Sequence, residues 1–366
     1  MTGIPQPPSP LDGAIPAGTF AIEASAGTGK TYALSALVSR HLAETDTTTA
    51  GVLVVTYTRA AANELRSRVR GQLIDVGRHL SGDDPATEVS PWMAALRPDD
   101  PDERARRCER VARAITDFDA MTVATIHSFA HQVLTSIGTA AGADPDATMG
   151  DDEKQLRFEV CADVLAAAAT TVPSDRLPKL TKLVSATETA GGSPGTILLP
   201  RRRDLDDGPV GQAHLAHAVM ADLIEQSLTL MADRRQRKNS LGFSDVLLRL
   251  RGALSGPTAA AALDVLRKRF SLVLIDEFQD TDPIQWEIFS TLFDGSGWPG
   301  RLVLVGDPKQ SIYGFRGADI NTYVQAITER PGLTRSTLSV NWRSDGALLQ
   351  ALNALYDGAV FYEGGS

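Results

Sequence analysis

The chain has 366 residues, of which 43% are hydrophobic and 22% charged, and this composition excludes a wholly disordered or fibrous protein. Its formal net charge of −9 argues against nucleic-acid binding by the surface as a whole, because phosphate contacts need positive potential. Two cysteines exclude a disulfide framework and a four-thiolate metal site, and no apolar run approaches the roughly 18 residues of a membrane helix, so we expect a reduced, cytoplasmic protein without membrane contact.

Short runs rich in β-branched residues alternate with helical periodicity along most of the chain. We predict strands at 20–23, 52–56, 121–125, 272–275, 302–305 and 337–340. Several are apolar at nearly every position, which is typical of a parallel sheet covered on both faces. The sequence therefore predicts an open α/β sheet, whose ligands bind beyond the carboxyl ends of its strands.

Two segments depart from this alternation. Residues 1–18 contain five prolines, and we expect a flexible, Pro-rich N-terminus. Residues 140–240 contain helical stretches at 152–169 and 212–237, separated by a loop-like section, and no convincing strand. We interpret this middle segment as an all-helical domain inserted into the α/β fold.

Four runs of basic residues interrupt the acidic composition, at 66–70, 104–113, 201–203 and 234–238. Each is either a local phosphate-binding patch or the solvated face of a helix, and composition does not distinguish the two. The charge pattern therefore leaves nucleic acid open as a partner.

The first predicted strand leads into a glycine-rich loop followed by a helical run. The loop reads Ala24-Ser25-Ala26-Gly27-Thr28-Gly29-Lys30-Thr31. A glycine-rich turn before a helix N-terminus gathers backbone N–H groups around phosphate oxygens. Lys30 would reach the β- and γ-phosphates, and the Thr31 hydroxyl would ligate Mg²⁺. The strict motif begins with glycine, so Ala24 must keep an ordinary backbone conformation; an accidental Gly-Lys-Thr turn is the alternative.

The next two strand ends carry hydroxyl residues beside an aromatic residue or a histidine. They read Thr56-Tyr57-Thr58-Arg59 and Thr125-Ile126-His127-Ser128-Phe129. Such residues suit contacts to a phosphodiester backbone. His127 has no second histidine or cysteine at metal-ligand spacing, so we expect no metal there. The alternative for His127 is a histidine with satisfied hydrogen bonds at the start of a helix.

The strand at 272–275 ends in two acids, Asp276 and Glu277. Asp276 suits a partner of Mg²⁺, and Glu277 suits a base that takes a proton from the attacking water. The next strand leads to Gln310, the candidate sensor of the γ-phosphate. It then leads to an aromatic–arginine cluster that suits stacking on single-stranded bases, unless its aromatics belong to the core: Tyr313, Phe315 and Arg316.

After the last predicted strand come Trp342 and Arg343. Trp342 could stack on a base, and Arg343 could act as an arginine finger. Spacing alone does not decide either role.

The series of segments resembles the motifs of superfamily-1 helicases of the UvrD type, and the form of the loop at 22–31 favours their RecB-type members. The matching blocks are 22–31, 54–61, 125–129, 243–247, 275–283, 305–319 and 341–344. The resemblance implies a RecA-like P-loop NTPase domain at 19–139 and 241–330 (1A). It also implies a helical insertion at 140–240 (1B) and the start of a second RecA-like domain at 331–366 (2A).

The resemblance further implies an ATP- and Mg²⁺-dependent helicase that moves 3′ to 5′ on single-stranded DNA. Such motors act at duplex DNA ends with RecC- and RecD-like subunits, in double-strand break repair and recombination. Gln310 and Arg343 would then contact the γ-phosphate, and Trp342 would stack on adenine. The residues that would face DNA are Tyr57, Arg59, His127, Phe315 and Arg316.

Two departures from the family pattern affect this expectation. No adenine-reading glutamine is evident in 1–18, and the later helicase motifs and a nuclease domain do not occur in these 366 residues. We therefore expect a truncated form with weak or no unwinding alone. The alternative is a nucleotide-binding module without turnover that works only in assembly with RecC- and RecD-like partners. A P-loop kinase would leave the aromatic–arginine cluster unexplained.

Overall fold

The computed structural model describes residues 10–83, 89–137, 148–149, 153–191, 198, 209–237, 240–241, 243–256, 259–295, 297–311 and 319–357. The strands are β1 (Gly18–Ala24), β2 (Val52–Thr56), β3 (Thr122–Thr125), β4 (Thr148–Met149), β5 (Ser240–Leu241), β6 (Leu272–Ile275), β7 (Arg301–Gly306) and β8 (Thr334–Leu338). The helices are α1 (Lys30–Glu44), α2 (Arg59–Ser81), α3 (Pro91–Ala95), α4 (Pro101–Thr116), α5 (Ile126–Ile137), α6 (Glu153–Ala168), α7 (Leu180–Gly191), α8 (Pro209–Arg237), α9 (Phe243–Ser255), α10 (Ala259–Arg269), α11 (Pro283–Phe293), α12 (Ile320–Tyr323) and α13 (Gly346–Leu355).

Six strands form one parallel sheet in the order β3-β2-β6-β7-β1-β8. The inner strands β2 and β6 are buried at every position, and β7 at all but its first. They carry apolar runs rather than alternation because helices cover both faces of the sheet. The predicted parallel α/β sheet is confirmed.

The two faces of the sheet divide the apolar residues between two cores. Leu272 and Leu274 of β6 face a core built with α1, α2 and α4, whereas Val273 and Ile275 face one built with α5, α9, α10 and α11. Burying each such side chain stabilises the fold by about 1.5–3 kcal/mol. Within the described residues, no helix combines the length and the apolar character needed to cross a bilayer.

The last strand starts three residues earlier and ends two residues earlier than predicted, at Thr334–Leu338 instead of 337–340. Among the described strands it lies at the edge of the sheet and pairs with β1 alone, and its first two residues are polar and exposed. The prediction followed the apolar residues, and Val340, which ended it, is exposed in the following loop. At a sheet edge the hydrogen-bond register, not burial, determines where the strand runs.

Helices α6, α7 and α8 pack around a core of their own, which includes Val160, Cys161, Leu183 and Leu223. The expectation of no strand in 140–240 is wrong at both ends of the segment. There β4 pairs in parallel with β5 through two residues each. A two-residue strand is too short to leave a periodic pattern. The division into domains 1A, 1B and 2A stays a prediction.

Residues 10–17 are folded, so the flexible N-terminus predicted for 1–18 is wrong for this part. Leu11 and Ile15 are buried in the core that contains α1. The buried guanidinium of Arg40 donates to the carbonyl oxygens of Leu11 and Gly13 at 2.8 and 2.6 Å. The buried side chains of Leu11 and Ile15 and the hydrogen bonds from Arg40 thus hold a segment that its proline content predicted to be flexible.

Candidate nucleotide site at the carboxyl edge of the sheet

The glycine-rich loop 24–31 connects β1 to α1. Gly27 and Gly29 have φ angles of 79° and 90°, in the left-handed region that favours glycine. The Thr28 hydroxyl closes the turn by donating to a carbonyl oxygen of the loop at 2.7 Å. Helix α1 begins at Lys30, and the N–H groups of its first turn have no acceptor within the helix. A glycine-rich turn that leads into a helix N-terminus is the backbone arrangement that a phosphate site requires.

The remaining loop residues differ in exposure. Ala24 is buried as the last residue of β1, in ordinary strand backbone, so the alanine at the first motif position introduces no strain. Ser25 and Ala26 are exposed at the turn, and Thr31 is half-buried in the first turn of α1. The structure brings all eight predicted loop residues to one corner of the sheet edge.

The acid Glu277 follows β6 and contacts the loop lysine. Its Oε2 accepts hydrogen bonds from Lys30 Nζ at 2.8 Å and from Gln279 Nε2 at 2.7 Å. Glu277 is the one non-glycine residue with positive φ in the described part of the chain, at 53°. A left-handed non-glycine residue costs on the order of 1–3 kcal/mol and persists where the surroundings hold it. Here the lysine and the glutamine hold the carboxylate beside the phosphate loop.

Asp276 is the buried neighbour of Glu277. Its N–H donates to the carbonyl oxygen of Val55 at 2.8 Å, while its buried Oδ1 has no hydrogen-bond partner among the described residues. Burial, reinforced by the negative charge of Glu277, raises the pKa of Asp276 to about 7, and Lys30 partly opposes this shift. A buried oxygen acceptor without a donor is suited to a hard cation.

The oxygen atoms of Asp276 and Thr31 suit a Mg²⁺ ion that is shared with substrate phosphates, rather than a metal ion held by protein ligands alone. Among the described residues no group of three or more His, Cys, Asp or Glu side chains could hold a metal ion. Mg²⁺ is usually bound by one or two protein oxygens together with substrate phosphates. The Asp276 carboxylate and the Thr31 hydroxyl have oxygen atoms of the kind that such a site uses.

The loop after β7 is tied to the same acid through Gln279, which the sequence analysis did not identify. The Gln279 amide donates to Glu277, and its Oε1 accepts the N–H of Asp307 at 2.9 Å. Asp307 in turn accepts the side-chain amide of Gln310 at 2.7 Å. A hydrogen-bonded series thus runs from the phosphate loop to the candidate γ-phosphate sensor. Gln279 lies four positions after the end of β6, and this closeness to a strand end is the signal that could have found it.

A cleft of about 460 Å³ adjoins this series. It is lined by Thr56, Tyr57, Thr58, Ala61, Glu277, Gln279, Asp280, Lys309 and Gln310. The loop after β2 therefore opens onto the same space as the catalytic candidates. Thr58 caps α2 by accepting the N–H of Ala61 at 3.1 Å, and Arg59 is exposed at the first helical position. Larger clefts of about 670 and 630 Å³, between α6 and α8 and at the opposite sheet edge, contain none of the predicted residues.

His127 lies in the first turn of α5. Burial lowers its pKa to about 4, so the imidazole is neutral at pH 7. A neutral ring can exchange hydrogen bonds with a phosphodiester but contributes no positive charge to it. Of the other predicted DNA contacts, Phe315 and Arg316 lie outside the described residues.

The basic run of α4 is neutralised by neighbouring acids. Arg106 and Arg107 pair with Glu103 at 2.9 and 3.0 Å, and Arg110 pairs with Asp46 at 2.7 Å. Exposed pairs of this kind contribute little to stability, but they cancel the local positive potential. For this run the structure favours the solvated helix face over the phosphate-binding patch. The run 201–203 lies outside the described residues.

Two aromatic side chains lie beside Gly29. A Cβ atom at this glycine would lie 3.9 Å from Trp342 Cδ1 and 3.9 Å from Tyr32 Cβ. Trp342 is 80% exposed, which is unusual for a tryptophan packed only against protein. Tyr32, which the sequence analysis missed, accepts a hydrogen bond from Trp92 Nε1 at 2.8 Å. Its position directly after the Gly-Lys-Thr block was the available signal.

Comparison with known proteins agrees with this arrangement. Residues 13–331 match the family described as UvrD/REP helicase N-terminal domain. The chain is 39% identical over 340 residues to RecBCD enzyme subunit RecB of Mycobacterium tuberculosis H37Rv, covering 92% of this chain and 29% of that protein. The RecB subunit of Mycolicibacterium smegmatis is 38% identical over 341 residues, covering 93% and 30%. That of Escherichia coli K12 is 26% identical over an alignment of 448 residues, covering 92% and 37%. The chain thus spans about three-tenths of the length of the mycobacterial relatives.

Proposed function

This chain belongs to the UvrD/REP helicase family, and on that basis we propose that it binds and hydrolyses Mg²⁺–ATP at the carboxyl edge of its sheet to drive movement along DNA. The observation that carries the proposal is the 2.8 Å contact between Lys30 and Glu277. It joins a phosphate-binding cation to an acid able to accept a proton from water, across 247 positions of the chain.

Nucleotide binding replaces this internal ion pair. The Lys30 ammonium exchanges the Glu277 carboxylate for β- and γ-phosphate oxygens, while the N–H groups of the glycine-rich loop bind the same phosphates. Thr31 and Asp276 would hold Mg²⁺, which when bound neutralises charge on the phosphate oxygens. Glu277, no longer paired with Lys30, orients the attacking water and accepts its proton. Gln279 keeps hold of the Glu277 carboxylate during this exchange, because its amide donates independently of the lysine.

The other predicted residues act around the triphosphate. Gln310, held by Asp307, lies at the end of the hydrogen-bonded series and contacts the γ-phosphate. Arg343 supplies the second γ-phosphate contact as an arginine finger. Trp342 stacks on adenine, and its exposed ring beside Gly29 supports this role. Tyr32, next to the same glycine, supplies a further aromatic surface for the base.

DNA binding follows the loops after β2 and β3. Tyr57, which lines the cleft beside Glu277, stacks on a base, and Arg59 and His127 contact the backbone. Phe315 and Arg316 extend this path. The shared cleft supports coupling between DNA and hydrolysis, since Glu277 and Tyr57 line the same space.

The whole-protein activity belongs to a larger assembly. The relatives are named RecB subunits of the RecBCD enzyme, and we extend from those names the RecC- and RecD-like partners. The 3′-to-5′ polarity, the action at duplex DNA ends and the role in double-strand break repair belong to the proposal through the resemblance of the motifs to UvrD-type helicases. For the 366-residue chain itself we expect weak or no unwinding.

One observation favours a second candidate, a nucleotide-binding module without turnover. Glu277 is held by both Lys30 and Gln279, which is an arrangement that keeps a base occupied. Phosphate release with and without single-stranded DNA separates the two candidates. DNA-stimulated release that Lys30→Ala abolishes supports the motor, whereas nucleotide binding without release supports the module. Failure to bind ATP would refute both.

A further inference from the structure

The loop after β8 is organised by the side chain of Asn341. Its Oδ1 accepts the N–H groups of both Arg343 and Ser344 at 2.9 Å, which closes a tight turn. Its Nδ2 donates to the carbonyl oxygen of Ala26 at 3.4 Å. One half-buried amide therefore shapes the turn that carries Arg343 and also joins it to the phosphate loop, 315 positions away.

The turn is seated directly on the phosphate loop. The N–H of Trp342 donates to the carbonyl oxygen of Gly27 at 2.8 Å. A Cβ atom at Gly27 would lie 2.8 Å from Arg343 Cβ and 2.9 Å from Asn341 Oδ1. Real Cβ atoms do not approach other heavy atoms this closely, so only glycine permits the contact. Its absent side chain thus admits the turn, in addition to permitting a φ of 79°.

The contact leaves the phosphate-binding groups available. The turn uses two carbonyl oxygens of the loop, those of Ala26 and Gly27, as acceptors. Phosphate binds to backbone N–H groups, and these two contacts engage none of the loop's N–H groups. Arg343 itself is exposed, and no ion pair engages it within the described residues. Its guanidinium is therefore free to reach an anion bound by the loop on which its own backbone rests.

We propose that Asn341 is a positioning residue that holds Arg343 against the phosphate loop and thereby determines how strongly the site prefers ATP over ADP. The inference rests on the proposed function, because it requires a triphosphate in the loop. In the proposed site Arg343 contacts only the γ-phosphate, so its placement affects the affinity for ATP and not the affinity for ADP. Any effect of Asn341 on adenine stacking by Trp342 acts on both nucleotides equally and cancels in their ratio.

The test is the ratio of ATP to ADP affinity of the 366-residue chain, measured by calorimetry with Mg²⁺. We expect Asn341→Ala and Arg343→Ala each to lower the ratio about tenfold, the size of one lost hydrogen bond to a charged group. The double variant should be no worse than Arg343→Ala, because Asn341 acts through the arginine. Asn353→Ala makes the same truncation on an exposed face of α13 and should leave the ratio unchanged.

Several results would overturn the inference. These are an unchanged ratio in Asn341→Ala, or losses that add in the double variant. Should Asn341→Ala fail to fold, Arg343→Ala still tests the inference, since an unchanged ratio there would show that the arginine does not distinguish ATP from ADP. Lys30→Ala addresses the underlying function separately. If that variant binds both nucleotides like the wild type, the nucleotide site itself is misassigned, whatever Asn341 does.

Discussion

Glu277→Gln is the substitution that best separates the two roles assigned to this acid. The change preserves the shape of the side chain and removes its charge and its capacity to accept a proton from water. In the structure the carboxylate pairs with Lys30 at 2.8 Å, with the two side chains 32% and 14% exposed, respectively. Gln279 can still hydrogen-bond to the amide that replaces the carboxylate.

The two roles predict effects in opposite directions. Loss of a general base lowers the rate of hydrolysis by on the order of 10²–10⁴-fold. Loss of the ion pair makes nucleotide binding easier, because Lys30 no longer has to leave a carboxylate. A partly exposed pair is worth about 1 kcal/mol after solvent screening, which corresponds to roughly fivefold tighter binding.

The assay combines phosphate release with equilibrium binding of a fluorescent ATP analogue. Glu287→Gln is the matched control, since Glu287 forms an exposed pair with Arg251 on α11 and α9 and should affect neither quantity. Slower release with tighter binding agrees with the proposed mechanism. A wild-type rate of phosphate release in Glu277→Gln would show that the assignment of Glu277 as the base is wrong, and weaker binding of the analogue would show that the ion-pair exchange is wrong.

Two further predictions concern stability. Gly306→Ala introduces a Cβ atom 2.7 Å from Gln279 Oε1 and 3.2 Å from Tyr323 Cε2, so we expect the free energy of unfolding in urea to fall by about 1–3 kcal/mol. Gly346→Ala is the control, because a Cβ atom there has nothing within 4 Å. Equal losses in the two variants would contradict the close packing at Gly306. Burial, together with the nearby positive charge of Arg301, lowers the pKa of His41 to about 4 from its ordinary 6.5. Between pH 6.5 and pH 4 the His41 imidazole is protonated in the unfolded chain and neutral in the folded one. The contribution of His41 to the free energy of unfolding is therefore complete above pH 6.5 and decreases by roughly 3 kcal/mol as the pH falls toward 4. His41→Gln should remove this part of the pH dependence of the thermal midpoint, and an unchanged slope would show that His41 does not produce it.

Much of the fold was predictable because burial on both faces of a sheet requires apolar runs. The inner strands β2, β6 and β7 match their predictions to within one residue at each end. The edge strand β8 and the pair β4–β5 do not, since their positions follow from pairing rather than from burial. Leu11 and Ile15 were hidden for a related reason, because isolated apolar residues among prolines carry no periodic signal.

The site divides in the same way. Sequence alone determined that a phosphate loop precedes a helix and that two acids follow an apolar strand, because each is a local requirement of backbone geometry and charge. Only the tertiary structure decided that Lys30 meets Glu277, that Gln279 reaches Asp307, and that Asn341 rests on the loop at Ala26. Those contacts depend on which parallel strands are neighbours and how their ends align. Strand order and alignment are properties of the assembled sheet, and no short segment of the chain contains them.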